Sequence, residues 1–248
     1  RSLLVVVWEI FRNFAGMRIY QTLRRLLPAA AIACMAVSMM AADGSKTGGS
    51  KADAQPHRLT AAEALAAAPR ELFPTVDSIT RLDMVDYFRA GSVTPSKNLV
   101  GGECRVILED SDRIVFATSK VSEYTLALLP GTGRQPDPVI MVVRTVRTPA
   151  PDSSVRFFDT GWNELKGIFE VPMLDDWMLP EAKKQTPEVQ NAVPFVIADA
   201  TYTPETHTLT FATQPATFLP KESLSTAEKS LRESISYRWD GRRFVPAR

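Results

Sequence analysis

Reactive side chains are scarce in this chain: its 248 residues include two cysteines and two histidines. Cys104 would serve as a nucleophile only if a base approached it in space, and His207 is the one remote candidate. Cys104 alternates with Val106 and Leu108 along an apolar face, which favours a buried, inert thiol. His57 has no second metal-capable residue at ligand spacing and reads as a solvated residue. His207 lies at the turn end of a hairpin, where a satisfied or solvated imidazole is expected. Asp83 and Asp86 share a helix face, as paired acid–base carboxylates would. Helix capping and the helix dipole account for them more simply. Trp162, Trp177 and Trp239 would form a ligand platform if exposed together, and core packing accounts for each separately. Gly101-Gly102 reads as a bulge or tight strand entry, not a phosphate cradle. A Gly-x-Ser-x-Gly elbow, a phosphate loop, a dinucleotide fingerprint and a His-Glu-x-x-His helix are all lacking. The sequence therefore assigns no catalytic, metal or cofactor-binding residue, and it calls for no cofactor.

The elements that position these residues begin with strands. In Cys104–Glu109, Cys104, Val106 and Leu108 point one way and Arg105, Ile107 and Glu109 the other. A polar turn at Glu109–Asp112 leads to Ile114 and Phe116, and then to Tyr124, Leu126 and Leu128, ended by Pro130-Gly131-Thr132-Gly133. Val139–Val143 is apolar throughout, so it should be a central strand covered on both faces. Val155 and Phe157 begin a fifth strand. The expected fold is α+β: an antiparallel β-meander covered by helices on one face.

Composition fits a globular domain, with 45% apolar and 23% charged residues. The start does not. Arg18, Arg24 and Arg25 precede an uncharged run from Leu26 to Ala42 that ends in small residues, the pattern of a signal peptide. Met17 is a plausible initiator, which would place residues 1–16 upstream of the true start. A lipoprotein reading at Cys34, after Ala31-Ile32-Ala33, competes less well than cleavage near Ala42. Removing residues 1–42 takes five arginines and Glu9 from 29 basic and 28 acidic residues, leaving 24 and 27, a net charge of −3. No Lys or Arg block survives there, so the electrostatic footprint of nucleic-acid binding is lacking. Cys104 is then alone, and no intrachain disulfide forms.

Residues 43–58 read as a flexible linker of Gly, Ser, Lys, Thr and Ala, and 59–248 as a single α+β domain, with any split into subdomains near 161–190. Thr60-Ala61-Ala62-Glu63 is a capping box. The helix after it, with Ala62, Leu65 and Ala66 apolar, should end at Pro69. Thr80-Arg81-Leu82-Asp83 predicts a second cap and a helix with Leu82, Val85 and Phe88 on its apolar side, ended by Gly91.

From here the chain resembles a known family. Leu72-Phe73-Pro74, Thr80–Phe88, Gly101-Gly102, the loop Pro149–Ser154 leading to Val155–Phe158, the Trp162 segment and Asp175-Asp176-Trp177 together resemble the DUF3256 family of exported Bacteroidales proteins. The family's pattern includes cysteines in that loop, whereas none occurs here between Thr148 and Ser154. The resemblance implies export and a shared fold, and it carries no catalytic residues over.

In the second half, Val171–Leu179 reads as a short helix ended at Pro180, and Glu181–Thr186 as polar and exposed. Phe195–Ala198 and Thr208–Phe211 read as a hairpin around Thr203–Thr206. Ser223–Ser234 has helix-forming composition, with a capping start at Ser225. The last hairpin pairs Ile235, Tyr237 and Trp239 with Phe244 across Asp240-Gly241, both at positive φ. The order of helices then strands recurs after Val171, which leaves two related halves open, at too low a residue similarity to claim a repeat.

Two functions follow as expectations. The first is a non-enzymatic domain, periplasmic or on the cell surface, that binds an envelope protein or another envelope component. Its membrane contact would be confined to the signal or a lipid at Cys34. The alternative is an extracytoplasmic hydrolase whose site is assembled from residues distant in sequence.

Overall fold

The structure is a computed structural model and describes residues 58–133 and 136–247. The expected signal peptide at 1–42, with Met17 and Cys34, and the linker to His57 lie outside the described residues.

Helix α1 (Ala61–Ala67) starts where the capping box places it: Glu63 N–H donates to Thr60 Oγ1 at 3.3 Å, and Thr60 N–H to Glu63 Oε2 at 2.8 Å. It ends before Pro69, whose ring bars further helix. After a single turn at Arg70–Leu72 comes α2 (Ser78–Arg89), and here two expectations fail. The N-cap is Asp77, accepting from Thr80 N–H at 2.8 Å, so the helix starts earlier than the Thr80 box implied. Its buried side is Arg81, Met84 and Val85, while Leu82 is 51% exposed and Phe88 37%. A buried arginine sets this face. Its guanidinium donates to the Leu65 and Ala68 carbonyls at the end of α1, at 3.0 and 2.7 Å; the Leu65 carbonyl also accepts from Ala68 N–H at 3.3 Å, while that of Ala68 is among those a helix terminus leaves without an intrahelical partner. Gly91, at φ 69°, ends α2 as expected.

Seven strands follow: β1 (Ser96–Lys97), β2 (Glu103–Glu109), β3 (Arg113–Ala117), β4 (Ser122–Leu129), β5 (Val139–Val146), β6 (Asp152–Phe158) and β7 (Glu164–Leu165). They lie in the sheet in chain order, each antiparallel to the next, which is the expected meander with one short strand added at each edge. A bulge between Val106 and Leu108 breaks the register of β2 against β3. Leu108 therefore leaves the alternation that sequence gave it with Cys104 and Val106.

The remaining elements are α3 (Leu174–Trp177), a short turn at Ala182–Gln185, α4 (Thr186–Ala192), β8 (Ala198–Thr203), β9 (Thr208–Thr213), α5 (Lys221–Ser230), β10 (Ser234–Trp239) and β11 (Phe244–Pro246). The four strands form a second antiparallel sheet in the order β11-β10-β9-β8. Several boundaries differ from expectation. The first strand of the hairpin is Ala198–Thr203 rather than Phe195–Ala198, and Phe195 stacks on Phe218 outside it. The segment after Glu181 includes buried Ala182 and leads into α4. Helix α5 begins after Pro220, not at Ser225. Trp239 pairs with Phe244, so the last turn spans four residues, and only Gly241 in it has positive φ. The helices-then-strands order does recur, but the sheets have seven and four strands.

Two cores explain the layering. On one face of the large sheet, Cys104, Val106, Phe116, Leu126, Ile140 and Val142 pack under α1, α2 and Phe73. Phe73 meets Phe116 and Tyr124 edge-on, with ring centroids 5.2 and 5.0 Å apart. On the opposite face, Leu129, Met141, Val143 and Phe157 pack against Tyr202, Leu209, Phe211 and Trp239. β5 faces both cores, which is why its residues are apolar at every position from Val139 to Val143. Helices α1 and α2 thus cover one face, and the second sheet, with residues of α3–α5 in the same core, covers the other near β4–β6.

Candidate functional site: the β1–β2 edge

Beyond the second sheet, the outward side of β2 is bare: Arg105 and Ile107 are exposed there, Ile107 at 44%. β1 ends the sheet and pairs with β2 only through Ser96–Cys104 and Lys97–Glu103. Pro95, which has no N–H to give a ladder, precedes this strand, and such residues belong at edges.

The edge has a depression on each face. On the helix side, a cavity of about 180 Å³ lies between the last turn of α2 and β2, walled by Met84, Tyr87, Phe88, Val93, Ser96 and Val106. Its rim is apolar and open to solvent, with Val93 93% and Tyr87 45% exposed. Ser96 is 9% exposed. Its Oγ is the one buried side-chain polar atom among the described residues without a hydrogen-bond partner. Buried hydroxyls are normally paired, and leaving one unpaired costs about 1–3 kcal/mol. The position is therefore incomplete.

On the open face, a cavity of about 200 Å³ is lined by Glu103, Arg105, Ile107, Lys120, Glu123 and Arg147 among others. Glu123 is held by Arg147 at 2.9 Å, and Glu103 by Lys97 at 3.8 Å. Arg105 and Lys120 have no counterion among the described residues, so this face carries surplus positive charge. Arg105 borders both cavities.

The residues singled out by sequence lie elsewhere or are inaccessible. Cys104 is fully buried, its Sγ 3.5 Å from the Ser96 carbonyl, and burial pushes its thiol up to about 11. His207, at φ 50°, sits in the β8–β9 turn of the other sheet, its Nδ1 3.0 Å from the Tyr202 hydroxyl. Cys104 and His207 thus belong to different sheets. Asp83 and Asp86 are exposed on α2, with Asp77 taking the cap that sequence gave to Thr80 and Asp83. Trp177 and Trp239 are 1% and 5% exposed, in the core between the sheets. Trp162 is half-buried beside Phe158, at 5.3 Å. Of these, only Cys104, itself fully buried, borders an edge cavity, the one on the open face. The other residues that do were passed over in sequence because 84–88, 92–96 and 105–106 meet only in the fold. An apolar Val93 in a polar loop ahead of Pro95 was the one local signal.

The class defined by these features is an α+β domain of two packed antiparallel sheets with helices over the larger. The chain belongs to the DUF3256 family of proteins of unknown function, whose model matches residues 57–244. It is similar in fold to the solved structure of a domain of an uncharacterized protein from Porphyromonas gingivalis W83. The two share 24% identity at a TM-score of 0.61, over 75% of this chain and 96% of that one. No curated protein matches the chain. Among the described residues, no helix is long and apolar enough to cross a membrane, and no three metal-capable side chains gather.

Proposed function

We propose that this is an exported, non-catalytic binding domain, periplasmic or on the cell surface, that engages an envelope protein or another envelope component through the β1–β2 edge. The observation that carries this reading is the incomplete edge itself: an apolar rim at Tyr87 and Val93 around a buried hydroxyl with no partner. Exposed apolar surface rimmed by polar residues marks interaction sites. The uncharged run from Leu26 to Ala42 behind three arginines supports export, with membrane contact confined to that segment or to a lipid at Cys34.

The test is site-specific photo-crosslinking in the native host, with the crosslinker at Val93 and, as control, at Glu188, followed by fractionation. A partner trapped from Val93 alone, in the envelope fraction, is the expected result. Cytosolic protein, or no adduct from Val93 together with turnover of a generic ester, glycoside or peptide panel, would replace this reading with the hydrolase one.

A further inference from the structure

Resting on that reading, we infer that the edge binds an extended peptide segment in which a tyrosine is flanked by acidic residues, added as a short strand beside β1. Strand addition needs free backbone groups at a sheet edge and sockets for alternate side chains. The edge offers both. Asn98 N–H donates to the Gly102 carbonyl at 2.8 Å, so Asn98 and Gly102 form a bonded pair. By antiparallel alternation Ser96–Cys104 is bonded too, and Lys97 turns its N–H and C=O outward. Beyond it, Leu99 N–H is taken by the Thr75 carbonyl at 2.9 Å. The open edge is thus short and suits a short motif.

Successive side chains of an added strand point to opposite faces. On the helix side the socket is the cavity of about 180 Å³, close to the roughly 150 Å³ that holds one benzene ring. Its walls of Met84, Tyr87, Phe88 and Val106 suit an aromatic ring. Ser96, in the wall of this socket, has a shielded Oγ with no hydrogen-bond partner; a tyrosine hydroxyl that displaces its cover supplies one, and a phenylalanine does not. On the open face the neighbouring side chains meet Arg105 and Lys120, the two cations whose acidic neighbours are already paired to Arg147 and Lys97. Those positions therefore select Asp or Glu. The bulge at Ile107 and the exposed Val93 border the added strand and extend its apolar contact.

The experiment is fluorescence anisotropy with the full chain and labelled nine-residue peptides of threonine and valine around a central Glu-Tyr-Glu. Replacing Tyr by Phe is expected to weaken binding about fivefold, and Ser96→Ala to abolish that preference while leaving the Phe peptide unchanged. Lys in place of both Glu residues, or Arg105→Glu with Lys120→Glu, is expected to weaken binding at least tenfold, more so at low salt. N-methylation of the tyrosine's flanking amides should remove binding. Equal affinity for the Tyr and Phe peptides, indifference to N-methylation, or no binding at all would overturn the peptide assignment. If Val93 still traps an envelope partner in that case, the binding-domain reading stands without it. Loss of both results would remove the two together.

Discussion

The indole N–H of Trp239 donates to the carbonyl of Pro130, 109 residues earlier in the chain, at 2.9 Å. The last hairpin of the small sheet is thereby fastened to the turn between β4 and β5 of the large one. Gly241, at φ 97°, lies against Thr132 in the same contact, where a Cβ would collide with the threonine methyl. Trp239→Phe keeps an aromatic ring but gives up the buried pyrrole half of the indole and leaves Pro130's carbonyl unpaired, so it should cost at least about 1–2 kcal/mol in urea denaturation. Gly241→Ala, which combines strain with collision, should also destabilise the fold. An unchanged midpoint in both would mean that the turns do not hold the sheets together.

The helical layer rests on Phe73 and Arg81, whose guanidinium carbon lies 5.9 Å from the Phe73 ring centroid. Phe73→Ala opens a cavity beneath two aromatic partners and is expected to lower stability by about 3–5 kcal/mol. Arg81→Met keeps the buried stem but leaves the Ala68 carbonyl without a donor, whereas Leu65 keeps the Ala68 N–H, for a loss of about 1–3 kcal/mol. Calorimetric unfolding of both variants would check this order. Arg81→Met being the costlier change would show that the charge, rather than the packing, holds α1 and α2 on the sheet.

Cys104 should resist alkylation. Its thiol is buried and pushed up to about 11 by desolvation, so little thiolate exists at pH 8 and the reagent has no access. Iodoacetamide is expected to label it only after denaturant unfolds the chain, as read by intact mass. Prompt labelling of folded protein would reopen the case for a nucleophilic thiol.

Stability should fall on acidification. The Thr80 amide holds the Asp77 carboxyl below its ordinary value, the Asn163 side chain and backbone do so for Asp159, and the Arg243 amide for Asp240. The unfolded chain, with ordinary values near 4, takes up protons first as pH drops. These groups therefore contribute fully above that value, and the contribution is lost as pH passes through the depressed folded values. Asp240 is exposed and Asp77 and Asp159 are only partly buried, so each effect is small and screened by salt. Urea midpoints at about pH 6 and about pH 3 should differ in this direction, and Asp77→Asn should reduce the difference. A higher midpoint at the lower pH would contradict the assignment.

The large sheet was legible because period-two alternation, or in Val139–Val143 an unbroken apolar run, bounded by polar or Pro/Gly turns, marks five strands from Cys104 to Phe158. Family membership was legible from short stretches between Leu72 and Trp177, most of them outside that region. The buried face of α2 was not, because Arg81 reads as a surface residue until the carbonyls it serves are seen at the end of α1. Helix α4 escaped notice since Thr186-Pro187-Glu188 looks like loop, although Pro at the first helical turn is a common start. The β1–β2 edge was hidden for a different reason. Tyr87, Val93, Ser96 and Arg105 carry no shared periodicity and become a site only by meeting at the end of a sheet.

The strand order of the large sheet also bears on how the protein reaches its native state. Because every strand from β1 to β7 mates with its immediate successor, the loops to be closed are short and each closure costs little entropy. A chain emerging from its N-terminal end can zip this sheet hairpin by hairpin. The seam between Trp239 and Pro130 must wait for the final residues, so assembly ends with the docking of the small sheet.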